Sequence, residues 1–286
     1  MILRVLLILL ATAIYISPAY AGQSTITIGE GYACMGEDKS RKQTEKAAND
    51  DAKRKAAEFV LTAIKSETEV KNFELEKDLL SAYTNATVKV LQELEKGWYK
   101  DASLGDCYKA KIKVEVVPDE REMEKLTKTK QAADDPSAPL NVRVWTDRNE
   151  YKNGERIKVY IKGNKPFYAR VLYKDAAGSL LQLLPNPYRT DNYFNGGVVY
   201  ELPAGNDRFD LEVIPPYGEE SLVVYSSTSP LGDIKLQAEG GVYKVNTKSK
   251  DIGVKTRGIE FVEKETGKTS YAAEFFEERT VVTTKK

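Results

Sequence analysis

The side chains missing from this chain narrow its chemistry more than those present. Its 286 residues include no histidine and two cysteines, Cys34 and Cys107. Without imidazole there is no Ser-His or Cys-His nucleophile pair, no histidine general base and no His-ligated zinc or haem. Two thiolates cannot build a four-cysteine zinc or iron–sulfur site within one chain, and no S-x-x-K motif offers a Ser-Lys nucleophile. Carboxylates remain. Glu219-Glu220 and Glu277-Glu278 are candidate pairs for a carboxylate-only hydrolase, but among 43 acidic residues adjacent pairs arise readily on solvated faces. No spacing sets two of them across a cleft. Asp147-x-Asn149-x-Tyr151-x-Asn153-Gly154 has the outline of a calcium loop, yet Lys158 stands where a bidentate acid is needed. A strand-to-turn connection accounts for it better. Gly29-x-Gly31 lacks the further glycines and the Lys-Ser/Thr of a phosphate loop and reads as close packing at a strand end. These patterns predict a non-enzyme with no cofactor and no metal.

Two features carry more weight. In an exported chain an even cysteine pair reads as a disulfide. Cys34 ends a predicted strand and Cys107 begins another, so antiparallel pairing brings them together. There is no C-x-x-C to suggest redox work. The second feature is tyrosine, with 17 in the chain. Tyr168, Tyr173, Tyr188, Tyr193, Tyr200, Tyr217 and Tyr225 gather in one region, several beside Pro, Asn or Gly. Most are expected to pack strands and cap corners. The segment from Asn186 to Asn195 is the best candidate for a recognition loop, with Asn186, Tyr188, Arg189, Tyr193 and Phe194 as its binding residues, because tyrosine offers contact area with a polar tip.

The elements that must position these residues follow in chain order. Residues 1–21 have the form of a secretory signal: Arg4, an apolar run from Val5 to Ile16, and Ala19-Tyr20-Ala21 at the cleavage point. The apolar run is short for a membrane span. Cleavage after Ala21 is expected, leaving a periplasmic or secreted protein with no transmembrane segment. Residues 22–118 predict a small α+β domain. A strand over Thr25–Ile28 leads into a helix from about Lys39 to Lys65, whose Ala48, Ala52, Ala56, Phe59, Val60, Ala63 and Ile64 share one face. A short helix around Leu79, Leu80 and Tyr83 and strands over Thr87–Leu94 and Tyr108–Val117 complete it. Residues 119–139 predict a charged linker with a short helix, broken by Pro136 and Pro139.

Residues 140–286 predict an antiparallel β-sandwich with a C-terminal extension. Strands are expected at Asn141–Thr146, Arg156–Lys162, Tyr168–Lys174, Leu180–Leu184, Val198–Leu202, Phe209–Ile214 and Ser221–Ser226, separated by Gly-, Asn- and Pro-rich turns. In the tail, Val242–Asn246, Gly258–Val262, Tyr271–Phe276 and Thr280–Thr284 look like added strands, with a hairpin turn at Glu265–Lys268. They either extend the sandwich or form an exposed edge. The fold class is therefore α+β, a small N-terminal α+β domain plus a C-terminal sandwich.

Two resemblances accompany this reading. The G-E-G-Y-A start, the D-D-A-K-R-K-A-A helix and the Y-K-A-K-I-K-V-E-V strand, over about residues 24–118, resemble the N-terminal domain of the bacterial flagellar assembly protein T and surface lipoproteins of the twenty-kilodalton type. The lipid-bearing cysteine of the latter is absent. V-R-V-W-T-D-R, Y-A-R-V-L-Y-K-D-A-A-G, L-L-P-N and the Val-Ile-Pro-Pro-Tyr-Gly segment, over about residues 140–231, resemble a bacterial domain of unknown function found behind caspase-like peptidases and protein kinases. The first resemblance implies binding and assembly surfaces with no catalytic residues to carry over, and the second a β-sandwich accessory module with no established chemistry. Lys+Arg and Asp+Glu are equal at 43 each, so no global basic field points to nucleic acid. The expected role is a non-enzymatic exported envelope module that binds another envelope or surface protein. The alternatives are an accessory factor for assembly or export of a flagellum or surface structure, and a carboxylate-only hydrolase.

Overall fold

The computed structural model describes residues 22–68, 73–127, 134–205, 207–257 and 272–286. The predicted signal, the expected strand at 258–262 and the turn at 265–268 lie outside these residues. The N-terminal elements follow the expected order: β1 (Gln23–Cys34), α1 (Arg41–Thr68), α2 (Phe73–Thr84), β2 (Thr87–Asp101), β3 (Gly105–Val117) and α3 (Glu120–Thr127). Next come β4 (Val142–Thr146), β5 (Glu150–Lys152), β6 (Val159–Gly163), β7 (Phe167–Lys174), β8 (Leu180–Leu184), β9 (Tyr193–Phe194), β10 (Tyr200–Leu202) and β11 (Glu219–Ser227). The chain closes with β12 (Leu236–Glu239), β13 (Val242–Val245), α4 (Ser249–Arg257) and β14 (Ala273–Lys285).

Local chemistry explains the helix starts. Ser40 caps α1: its Oγ accepts the Gln43 amide at 3.3 Å, and Gln43 Oε1 accepts the Ser40 amide at 2.8 Å, a reciprocal capping box. Asp119 caps α3 by accepting the amides of Arg121 and Glu122. Along α1 the small residues Ala48, Ala52 and Ala56 are wholly buried, with Val60 beside them. A stripe of alanines lets the helix approach the sheet closely. Gly29 and Gly31 are the matching surface on β1. A Cβ on Gly31 would lie 2.2 Å from the Ala48 carbonyl oxygen, and one on Gly29 2.2 Å from that of Ala52. The G-x-G pair is thus a packing seat for α1.

One large sheet runs through the molecule in the order β12-β13-β8-β7-β11-β14-β1-β3-β2, and a smaller one has the order β10-β6-β4. The C-terminal strand β14 decides this arrangement. It pairs antiparallel with β11 on one side and with β1 on the other, and its end pairs with β5 in parallel. The tail therefore occupies the centre of the sheet, and the two strands expected at Tyr271–Phe276 and Thr280–Thr284 are one continuous strand. On one face, α1 and α2 cover β3 around Val60, Leu79, Ile112 and Val114. On the same face the small sheet closes a sandwich core with Ile161, Phe167, Val171, Leu184, Val224 and Phe276. The opposite face buries Ile26, Leu172, Tyr225 and Phe275 with Ile252 of α4.

Other departures from expectation are local. Phe209–Ile214 makes no strand but a single bridge, Arg156 to Glu212. Residues 249–257 form a helix, whose buried Ile252 and Thr256 lie one turn apart. Residues 134–141 are fastened down: Asn164, 3% exposed, donates to the carbonyls of Asp135, Ala138 and Pro139 and accepts the Asn141 amide. Cys34 and Cys107 face each other across β1 and β3 and form a disulfide.

The α1 seat gives a direct test. Gly31→Ala should push α1 off β1 and lower stability by about 1–3 kcal/mol, read as a drop in the urea midpoint. Gly36→Ala, where no atom stands within 4 Å but φ is +58°, should cost only about 1 kcal/mol.

Candidate functional site

Two places gather polar or aromatic groups: the expected recognition loop and the seam where β14 joins the two parts of the sheet. In the loop, Asn186 is fully buried. Its Nδ2 donates to the Leu183 carbonyl at 3.1 Å and to Asp207 Oδ1 at 2.6 Å, while its Oδ1 accepts the amides of Tyr188 and Arg189 at 2.9 and 2.8 Å. Phe194 is also buried, stacked on Phe167 at 5.3 Å and in a T-shaped contact with Tyr200 at 4.7 Å. Arg189 lies over the Phe194 ring and faces the shielded Asp207 carboxylate at 3.5 Å. Of the five expected binding residues, Asn186 and Phe194 therefore build the loop from inside and Arg189 braces it.

Tyr188 and Tyr193 are left at the surface, 45% and 47% exposed. Each is held by one neighbour, Arg208 over the Tyr188 ring at 4.5 Å and Tyr168 edge-on to Tyr193 at 5.1 Å. The remaining tyrosines of the region do structural work. Tyr173 donates to the buried Glu220, which also accepts Thr284 Oγ1; burial and the neighbouring carboxylate both push the Tyr173 hydroxyl up. Tyr200 OH accepts the Asn195 amide at 3.0 Å. The calcium-like segment is a strand-to-turn connection whose oxygens are spent locally. Asp147 accepts from the Tyr151 hydroxyl at 2.6 Å and the Lys158 amide at 3.0 Å. Burial works against the Asp147 charge, but these hydrogen bonds and that from Arg148 outweigh it and hold its pKa low.

The seam has no counterpart in the expectations from sequence. A cleft of about 400 Å³ opens where β1 begins, lined by Gly22, Gln23, Glu115, Arg143, Arg257 and Glu278 among others. Arg257, at the end of α4, crosses the seam. Its Nε donates to Glu115 on β3 at 2.6 Å, its terminal nitrogen reaches Glu277 on β14 at 3.2 Å, and its guanidinium lies 4.5 Å from the Phe275 ring centre. Ser24 completes the shell of Glu115 with a 2.7 Å hydrogen bond. Nearby, Arg170 ties down α4 from below by donating to Thr256 Oγ1 and the Gly232 carbonyl; burial pulls its pKa down to about 10. Glu278 differs from these groups. It is half-buried, makes no ion pair among the described residues, and its carboxyl is raised by burial. A second cavity of about 240 Å³ lies on the helix side of β1, between Val60, Leu79, Tyr83, Lys165 and Glu274.

Comparison with known families bears on one part of this picture. Residues 150–230 match a family model described as a domain of unknown function (DUF4384). No curated protein matches the chain. The matched segment runs from β5 through β11 and contains the whole of residues 186–195. It stops short of the seam's other walls, since β1, β3, β4, α4 and β14 all lie outside it.

What the seam can do chemically is limited by how its groups are occupied. Of the carboxylates that line the cleft, Glu115 is locked by Arg257 and Ser24. Removing that lock should be costly. Arg257→Ala leaves Glu115 buried without its counter-ion and should lower stability by about 3 kcal/mol, measured by urea unfolding. In the loop, Asn186→Ala strips four hydrogen bonds and should destabilise by roughly 2–3 kcal/mol, whereas Tyr188→Ala should leave the melting temperature within about 1 °C.

Proposed function

We propose that this chain is an exported, non-enzymatic module of the bacterial envelope that binds another envelope or surface protein through the tyrosine-bearing face of residues 186–195. The observation that carries the reading is the division of labour in that loop. Asn186 and Phe194 are buried and fix the backbone, so Tyr188 and Tyr193 stand about half exposed on a rigid support. Exposed aromatic rings that are already immobilised bind with a small further loss of entropy, and tyrosine is enriched where protein surfaces meet. Export is supported by the signal-like residues 1–21 and by the Cys34–Cys107 disulfide, which suits an oxidising compartment. Among the described residues no helix is long and apolar enough to cross a membrane.

The second reading is an accessory factor for assembly or export of a flagellum or surface structure. It is favoured by the resemblance of residues 24–118 and their strand–helix–helix–strand–strand order. The two readings differ in the partner, not in the mode of action.

Cross-linking in the native cells, followed by capture and identification, tests both. A reproducible envelope protein supports the first reading and an appendage component the second. Tyr188→Ala with Tyr193→Ala should cut capture at least tenfold while the melting temperature stays unchanged. Undiminished capture by the doubly substituted chain would move the contact away from this loop.

A further inference from the structure

Beyond the loop, the seam cleft gathers charges of both signs. Four carboxylates line it, Glu115, Glu120, Glu124 and Glu278, against three bases, Lys89, Arg143 and Arg257. The bases are partly committed elsewhere: Arg257 also holds Glu277, and Arg143 pairs with Asp134 at 3.1 Å. The cleft is therefore short of positive charge, and Glu278 is a half-buried carboxylate in it with no ion pair among the described residues, whereas Glu120 is exposed to solvent. Beside it, Gln23 is 7% exposed and its buried Oε1 has no donor. Glu278 lacks a counter-ion and Gln23 Oε1 lacks a donor, and a single cationic N–H group supplies both.

The register of the sheet shows what stands next to them. Gln23 pairs with Phe276 and Ser24 with Phe275, so the antiparallel ladder continued by one residue sets Gly22 level with Glu277, and the next level is that of Glu278. Gln23, Phe276 and Glu278 share one face of the sheet, because side chains alternate along a strand. Gly22 itself lines the cleft. We propose that cleavage after Ala21 delivers the α-ammonium group of Gly22 into this cleft, where it becomes the counter-ion of Glu278 and completes the seam. The proposal rests on the export reading and adds to it a structural role for processing: the new terminus is a part of the fold. An ammonium group has three donors, enough for the Glu278 carboxylate and the orphaned Gln23 oxygen together.

The pairing fixes the sign of a pH effect. With the terminus blocked, Glu278 keeps a folded-state pKa above its unfolded value, so stability falls as pH rises from the ordinary carboxylate range through that raised value. With a free ammonium the loss is offset, until the amine itself deprotonates at about pH 8. The other groups facing this position are Glu115, already tied to Arg257 and Ser24, Lys89 of β2, Glu120 and Glu124 of α3, and Arg143 of β4. None of them changes when the terminus is acetylated.

The test uses chains that begin at Gly22, with the amine free or acetylated, each with Glu278 intact or as Glu278→Gln. Acetylation should lower the melting temperature at pH 7 by about 2–4 °C when Glu278 is present and by less than about 1 °C in Glu278→Gln. The acetylated chain should also lose stability between pH 4 and pH 7 relative to the free one. An equal effect of acetylation in both backgrounds, or none in either, overturns the pairing. N-terminal sequencing of the protein from its own cells separates this outcome from failure of the export reading. A start at Gly22 supports processing there, and a different start removes the physiological role even if the ion pair forms in the Gly22 chain.

Discussion

The structure depends on one strand that arrives last in the chain. β14 donates to and accepts from β11 over nine register pairs and from β1 over four. Without it both neighbours would present open edges in the middle of a buried sheet, and unpaired backbone groups there cost about 1–3 kcal/mol each. The cores depend on the same strand: Phe276 and Val282 enter the sandwich core, and Phe275 and Ala273 the core beneath α4. The start of the sandwich part is pinned to it as well, since Glu274 accepts the Leu140 amide and pairs with Lys165, and Arg257 ties the helix-bearing part to it by pairing with Glu115 of β3 and Glu277 of β14. The helix-bearing part and the sandwich part therefore share hydrogen bonds, side chains and an ion pair.

This explains which features could be read from the sequence. Elements whose stability is local were legible: the alanine face of α1, the alternation in Ile112, Val114 and Val116, and the turns around β7 and β8. The cysteine pair was legible because two strand ends and an antiparallel pairing suffice to place it. The position of β14 was not. Its Phe275 and Phe276 are both buried, one on each face of the sheet, and such a run is as compatible with an edge as with a centre. The partners that decide the matter are β1 and β11, more than 240 and about 50 residues away along the chain. Helix α4 was missed for a related reason: its Ser-Lys-Asp-Ile-Gly-Val-Lys-Thr-Arg sequence has little apolar content, and Arg170 and Arg257 hold it in place as much as packing does.

The loop of residues 186–195 shows a different limit. Composition singled out the segment but could not rank its residues by burial. Asn186 looked like a surface amide because asparagine in a Pro-Asn-Pro turn usually is one. Here its four hydrogen bonds replace the backbone pairing that the two prolines, lacking N–H groups, cannot make. Phe194 is drawn inward by Phe167. The seam cleft was illegible altogether, since it joins residues from both ends of the chain.

A seam could also be closed with apolar side chains, which would be at least as stabilising, so the charges need their own account. A one-residue shift turns every side chain to the wrong face and burial alone forbids it, but a shift of two keeps each side chain on its face and an apolar seam tolerates it. Arg257 can satisfy Glu115 and Glu277 together only when α4, β3 and β14 are in one relative position. Ser24 meets Glu115 only when β1 is in register with β3. The buried ions thus contribute little net energy and much selection among registers, the use for which buried polar groups are best attested. A strand paired on both sides, with β11 and with β1, has many wrong registers available to it. The polar residues of the seam are placed where those alternatives would leave a charge without a partner.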